Sequence, residues 1–313
     1  MTNGEDGIME NWIGIDIGGT DMKFAVFNRE AEIVRHGSVP TPQGDAGVRI
    51  PEAVEAVLAS LLGRYPNSSG VGISTAGVVH PDSGEIVFSG PTLPGYRGTN
   101  LKRVVEDRFG LPANVLNDVN AAAQGERWKG AARGVDHFFC VTIGTGIGGA
   151  LFSEGKLVLG PHFRAGEIGH SLYEKGSGTT YEQRASMSAL LRRAADELPG
   201  FSGSGRELFA RAGEGDAACR RLLDGWTEEI ARGLAEIVLL ADPEVIVVGG
   251  GVSEQKELLL EPIRGHLSAY LPEGFCRTSL KPAELGNRAA LYGVIYPYFI
   301  REMERSNDGA QLG

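Results

Sequence analysis

Two stretches of this sequence repeat one design. Ile13–Phe27 (IGIDIGGTDMKFAVF) and Phe139–Phe152 (FCVTIGTGIGGALF) each run from an apolar strand through a Gly/Thr turn into a second apolar strand. They lie about 126 residues apart, far beyond a solenoid period, so the echo points to two related domains rather than stacked repeats. β-Hairpins can look alike by chance, but both turns also carry Thr and paired glycines. A length of 313 residues suits two domains at roughly 150 residues each.

The segments around the echo alternate between strand and helix patterns, as in an α/β protein. Helical spacing of Val54, Val57, Leu58, Leu61 and Leu62 predicts a helix from Pro51 to Tyr65. VGIST (Val71–Thr75) and NVLND (Asn114–Asp118) read as strands, the second running into a helical NAAAQGERW. A long amphipathic helix is expected from Asp216 to Ala241, with Leu223, Trp226, Ile230, Leu234 and Ile237 on one face, ended by Pro243. EVIVVGGGVS is a buried strand entering a glycine turn, and RAALYGVIYPYFIREM a closing helix; the tail SNDGAQLG reads as frayed.

Glycine is the compositional outlier: 46 of 313 residues, about 15% and roughly twice the usual share. That suits tight turns and close backbone approaches, as in a protein that wraps phosphate. A net charge of −10 argues against nonspecific binding to nucleic acid or anionic membranes. Three scattered cysteines (Cys140, Cys219, Cys276) offer neither a disulfide framework nor a zinc motif, so no structural zinc is expected. The acidic start MTNGEDGIMENW lacks a signal-peptide core, and no run approaches the 18 apolar residues of a membrane span, so a cytoplasmic protein is expected.

In each hairpin turn, small residues leave backbone N–H groups to face an anion, and a Thr hydroxyl adds a donor. Gly18, Gly19 and Thr20 form the first such turn, and Gly144, Thr145 and Gly146 the second. Gly249, Gly250 and Gly251 follow a buried strand as a third. Any one alone reads equally well as a tight turn. Asp16 sits beside the first turn, where a carboxylate could hold Mg²⁺ through water. P-loop spacing is absent, and Gly144-x-Gly146-x-Gly148 enters a strand rather than a helix, which disfavours a dinucleotide fold.

Five ordered motifs carry a family resemblance: DIGGT (Asp16–Thr20), LNDVNAAAQGE (Leu116–Glu126), GTGIGG (Gly144–Gly149), GEIGH (Gly166–His170) and VVGGG (Val247–Gly251). Spread over residues 13 to about 297, they resemble the ROK family of sugar kinases and sugar-responsive repressors. The resemblance implies an α/β, two-domain actin-like ATPase (ribonuclease-H-like) fold with duplicated sheet domains and an interdomain cleft. Expected domains are residues 1–118 and 119–288, with a C-terminal helix over 287–304 packing back on the first. It implies a homodimer and an ATP- and Mg²⁺-dependent kinase acting on a hexose or hexose derivative. Phosphates would lie at the Asp16–Thr20 and Gly144–Gly146 turns, with adenosine at Gly249–Gly251. Asp118 would be the general base and Asn117 a sugar ligand; read without the family, an ND pair before an alanine helix is an N-cap. Gly77, Glu167, His170 and Glu182 would also contact the sugar; read without the family, a lone His is a packing residue. Lys23 reads as a phosphate contact or a solvated strand lysine.

The chain departs from the family in two places. Many members follow GEIGH with a CxCGxxGC zinc loop; here SLYEKGSGTTYEQRAS has no cysteine, so His170 keeps a sugar role and loses a metal role. In the sugar-side loop, Thr92 stands where Asn is common, Tyr96 where Trp is common, and His80 replaces Asp or Asn, so glucose specificity does not follow. Only fifteen residues precede Asp16, too few for the winged helix of the repressors. The remaining alternative is a catalytically silent sugar- or nucleotide-binding regulator without a DNA-binding domain.

Overall fold

An almost continuously buried run from Asn11 to Ile17 forms strand β1, covered on both faces, and a glycine turn returns the chain as β2 (Asp21–Phe27). The computed structural model describes residues 10–90 and 93–311. It divides into one unit running to Trp128 and resuming at Arg288, and a second from Lys129 to Asn287.

In the first unit, β3 (Ile33–Pro40), β4 (Ser68–Thr75) and β7 (Ala113–Asn117) join the opening pair. The sheet order is β3-β2-β1-β4-β7, antiparallel across β3-β2-β1 and parallel across β1-β4-β7. A small pair, β5 (Val78–Val79) and β6 (Ile86–Phe88), follows β4. Ile13, Ile15, Val71 and Ile73 bury one face of the sheet in a cluster with residues of α1 (Ala46–Leu62) and α2 (Leu101–Phe109). Helix α1 begins five residues before the expected Pro51. Asp45 caps it by accepting the Gly47 N–H at 3.1 Å, and Pro51 is absorbed within the helix.

The other face carries Trp12, Ala25 and Phe27, which cluster with Leu291, Val294, Ile295 and Phe299 of the last helix, α9 (Ala289–Gln311). Gly72 permits this approach: a Cβ there would lie 2.4 Å from the Val294 carbonyl oxygen. Helix α9 extends beyond the expected Glu304 into the stretch read as frayed. Helix α3 (Asp118–Lys129) packs on α9 too, through Gln124 Nε2 donating to Gly293 O at 2.9 Å and Trp128 against Tyr292, Tyr296 and Phe299. These contacts keep α3 in the first unit as far as Trp128, whereas the sequence placed the boundary at its first residue.

The second unit repeats the plan. Strands β8 (Phe138–Ile143), β9 (Ile147–Ser153), β10 (Lys156–Val158), β11 (Val245–Gly249) and β12 (Ser279–Pro282) are ordered β10-β9-β8-β11-β12. Again the first three are antiparallel and β8-β11-β12 parallel. The echo in the sequence is thus an echo in topology. Between β10 and β11 lie a 3₁₀ turn (Ile168–His170), α4 (Tyr181–Ala185), α5 (Met187–Glu197), α6 (Gly205–Gly213) and α7 (Ala217–Ala241). Asp216 caps α7 by accepting from the N–H groups of Ala218 and Cys219, and its predicted apolar face is buried throughout. Helix α8 (Glu257–Leu267) completes a core around Trp226, Ile230, Ile246 and Leu259. No helix among the described residues is long and apolar enough to cross a membrane.

Candidate active site

In open α/β sheets, ligands gather at the carboxyl ends of parallel strands. There the first unit sets its polar residues side by side: Asp16 of β1 pairs in register with Ser74 of β4, and Thr75 of β4 with Asn117 of β7. Ser74 Oγ donates to Asp16 Oδ1 at 2.7 Å. Burial pushes the Asp16 carboxyl above the usual carboxylate range, and the Ser74 hydrogen bond and the charge of Lys23 offset this only in part. Lys23 faces Asp16 across β1 and β2.

The adjoining Gly18–Thr20 turn is held through its carbonyls. Thr41 Oγ1 donates to Gly18 O at 2.7 Å, Thr41 N–H to Thr20 O at 2.8 Å and Gln43 Nε2 to Gly19 O at 3.5 Å. The N–H groups of Gly19 and Thr20 donate to no acceptor among the described residues, the arrangement an anion requires. Ser74, Thr41 and Gln43 escaped the sequence reading. For Ser74, a polar residue at the carboxyl end of a buried strand was the available signal.

Asn117 and Asp118 stand at the junction of β7 and α3. Asn117 Nδ2 donates to Asp118 Oδ1 at 2.9 Å and to Gly77 O at 3.0 Å. Its Oδ1 accepts from the N–H groups of Val119 and Asn120 at 2.9 and 3.1 Å. Asn117 is therefore the helix cap, and Asp118 is the first residue of the helix. Gly77 has φ of +100°, and a Cβ there would meet Phe88 O at 2.7 Å, so the turn that offers its carbonyl to Asn117 requires glycine.

Two residues read as altering sugar recognition have other duties. Tyr96 is buried, its hydroxyl 2.6 Å from Thr75 Oγ1, and burial pushes that hydroxyl up to about 12. His80 Nδ1 accepts from the N–H groups of Asp82 and Ser83 at 3.3 and 3.4 Å, the turn-forming role an Asp or Asn side chain fills. Thr92 lies outside the described residues.

In the second unit, the Gly144–Gly146 turn joins β8 to β9, closed by Gly144 N–H donating to Gly146 O at 2.9 Å. Glu182 of α4 lies against it, with Oε2 accepting the Ile147 N–H at 3.3 Å. The 3₁₀ turn puts Glu167 and His170 on one side, their Oε2 and Nε2 atoms 3.8 Å apart. Desolvation raises the Glu167 carboxyl, the charge of Glu182 adds to the rise, and His170 and Arg164 oppose it. The structure thus gathers Glu167, His170 and Glu182 beside the second turn.

The loop between them, where the family's zinc motif would fall, is tied by Arg184. Its guanidinium donates to Leu172 O at 2.8 Å and Thr179 O at 2.9 Å, and pairs with Glu229 at 3.1 Å. Arg232 pairs with Glu174 alongside. No spacing in the sequence announced this network.

Gly249, Gly250 and Gly251 carry the chain from β11 into a 3₁₀ turn over Gly251–Gln255 rather than directly into a helix. Gly250 has φ of +86°, and a Cβ there would lie 2.3 Å from Ile143 O, so this turn is pressed on the end of β8. Among the described residues no group of three or more His, Cys, Asp or Glu is placed to hold a metal ion. A lone half-buried carboxylate such as Asp16 still suits Mg²⁺, which keeps water and takes its remaining ligands from substrate phosphates.

A ROK family model matches residues 12–297. A beta-glucoside kinase of Listeria monocytogenes is 33% identical over 299 residues, covering 93% of this chain and 97% of its own length. The solved structure of a ROK family glucokinase from Streptomyces griseus, in complex with glucose and AMPPNP, is 34% identical with a TM-score of 0.79, over 91% of this chain and 97% of that one. The ROK hexokinase of Thermus thermophilus is 31% identical with a TM-score of 0.76, over 91% and 96%.

Proposed function

The chain belongs to the ROK family and is a carbohydrate kinase of the two-domain, actin-like ATPase fold, and from that premise we propose that it transfers the γ-phosphoryl group of ATP to a hydroxyl of a hexose or hexose derivative, with Asp118 as general base. The observation that carries this reading is the hold of Asn117 on Asp118 Oδ1 at the carboxyl end of β7. A sugar hydroxyl is a weak nucleophile. Asp118 accepts its proton as the oxygen–phosphorus bond forms and the bond to ADP breaks.

Asn117, Gly77, Glu167, His170 and Glu182 are the proposed sugar contacts. The amide of Asn117 is committed to Gly77 and Asp118, so it meets the sugar by exchanging one partner or serves by fixing the base. The free N–H groups of Gly19 and Thr20 suit phosphate oxygens, Gly144–Gly146 takes the same role, and Gly249–Gly251 serves the adenosine. Mg²⁺, arriving with ATP, would neutralise charge on the β- and γ-phosphates, with Asp16 holding its water shell.

The test is ADP release with Mg·ATP across glucose, mannose, fructose, N-acetylglucosamine, N-acetylmannosamine, allose and cellobiose. Turnover on one sugar that Asp118→Asn lowers by roughly 100-fold or more supports the reading and names the substrate. Turnover undiminished in Asp118→Asn removes Asp118 as the base.

A further inference from the structure

We propose that Glu182 positions the Gly144–Gly146 turn, so that one carboxylate links the sugar-side cluster to a phosphate turn; the inference deepens the kinase reading and rests on it. Helix α4 is a fixed base. Tyr181 is fully buried, with its hydroxyl donating to Ile230 O at 2.9 Å, and Trp226 Nε1 donates to Ala185 O at 2.9 Å. Both bonds fasten α4 to α7.

From that base the stretch 181–187 grips both ends of the turn. Glu182 Oε2 accepts the Ile147 N–H at the β9 end, and the Met187 N–H donates to Gly144 O at 2.9 Å at the β8 end. Glu182 also fills the space over Gly146, where an added Cβ would lie 2.6 Å from its Oε2. On its other flank Glu182 is near enough to Glu167 for its charge to be felt there, beside His170. A carboxylate accepting from a backbone N–H makes a charge-assisted bond, stronger than its neutral counterpart. Removing it releases the turn, and the cost of ordering those residues then falls on nucleotide binding.

Calorimetric binding of Mg·AMPPNP to the full chain with no sugar present tests this, beside amide exchange over residues 143–148. In Glu182→Ala the affinity is expected to fall about tenfold, with faster exchange at Ile147. Glu182→Asp keeps the charge but withdraws it by one methylene, and is expected to behave like Glu182→Ala. Glu182→Gln, whose amide oxygen still accepts from Ile147, is expected to stay within about threefold of the wild type. Unchanged affinity and exchange in Glu182→Ala and Glu182→Asp would overturn the proposal, leaving Glu182 a sugar contact only. If the unaltered chain fails to bind Mg·AMPPNP, the kinase reading falls, and the exchange comparison alone decides whether Glu182 holds the turn.

Discussion

Asn117 closes the N-terminus of α3 with its carbonyl oxygen and steadies Asp118 with its amide nitrogen. One side chain thus ties the fold to the proposed base. Asn117→Ala is expected to cost about 1 kcal/mol of stability through the lost cap. It should also lower kcat with a smaller change in sugar KM, because Asp118 loses its orientation. Asp118→Asn should lower kcat by roughly 10²–10⁴-fold, the usual worth of a general base. Urea unfolding and steady-state kinetics on the two variants separate the effects.

Asp16 opposes folding at neutral pH. Its folded-state carboxyl titrates above the ordinary value of 3.8, so the folded chain holds that proton more tightly than the unfolded one. The stability linked to the protonated form is complete below 3.8 and is lost as pH rises through the folded-state value. Asp16→Asn, which can still accept from Ser74, is expected to raise Tm at pH 7, with the advantage shrinking as pH is lowered. Phosphoryl transfer should fall roughly 10- to 100-fold, as for a residue that orients a metal's water shell. Calorimetric scans across pH, paired with activity, check both directions.

Tyr96→Phe removes a buried hydroxyl from Thr75 and is expected to cost about 1–2 kcal/mol. Because Tyr96 lies in the core, sugar KM should change less than twofold, a small effect for any recognition site. A large KM change with an unaltered Tm would restore Tyr96 to sugar recognition.

Arg184→Lys leaves a positive charge but removes the planar fork that reaches Leu172, Thr179 and Glu229 together. A loss of about 1–3 kcal/mol is expected, with faster amide exchange across residues 171–180. Because this network is ionic and hydrogen-bonded, metal chelators should leave Tm unchanged; a fall in Tm on chelation would point to a bound metal in the unaltered protein.

Much of this was legible in the sequence because it is written in short-range patterns. The two hairpins follow from strands flanking Gly/Thr turns, and α7 from apolar residues at helical spacing between Asp216 and Pro243. Asp16 and Asn117 were legible as polar residues closing apolar strands. Strand β3 escaped because Val34, Arg35 and His36 are exposed and no residue of the strand is fully buried to mark a face. Helix α1 was cut short because Pro51 looked like a first helical residue, whereas Asp45 is the cap. The hold of Glu182 on Ile147 spans 35 residues of sequence and depends on how Arg184 and Tyr181 fold α4 back, so no local pattern could disclose it.

The split of the first unit sets an order for making the protein. Leu291, Val294, Ile295 and Phe299 cover the face of the sheet that carries Trp12, Ala25 and Phe27, yet they are translated after the whole of Lys129–Asn287. Trp226, Ile246 and Leu259, central to the second unit's core, all lie within that continuous stretch. On the ribosome the second unit can therefore close while β1 and β2 still wait with one side bare. The part of the molecule that is synthesised first is the last to become whole.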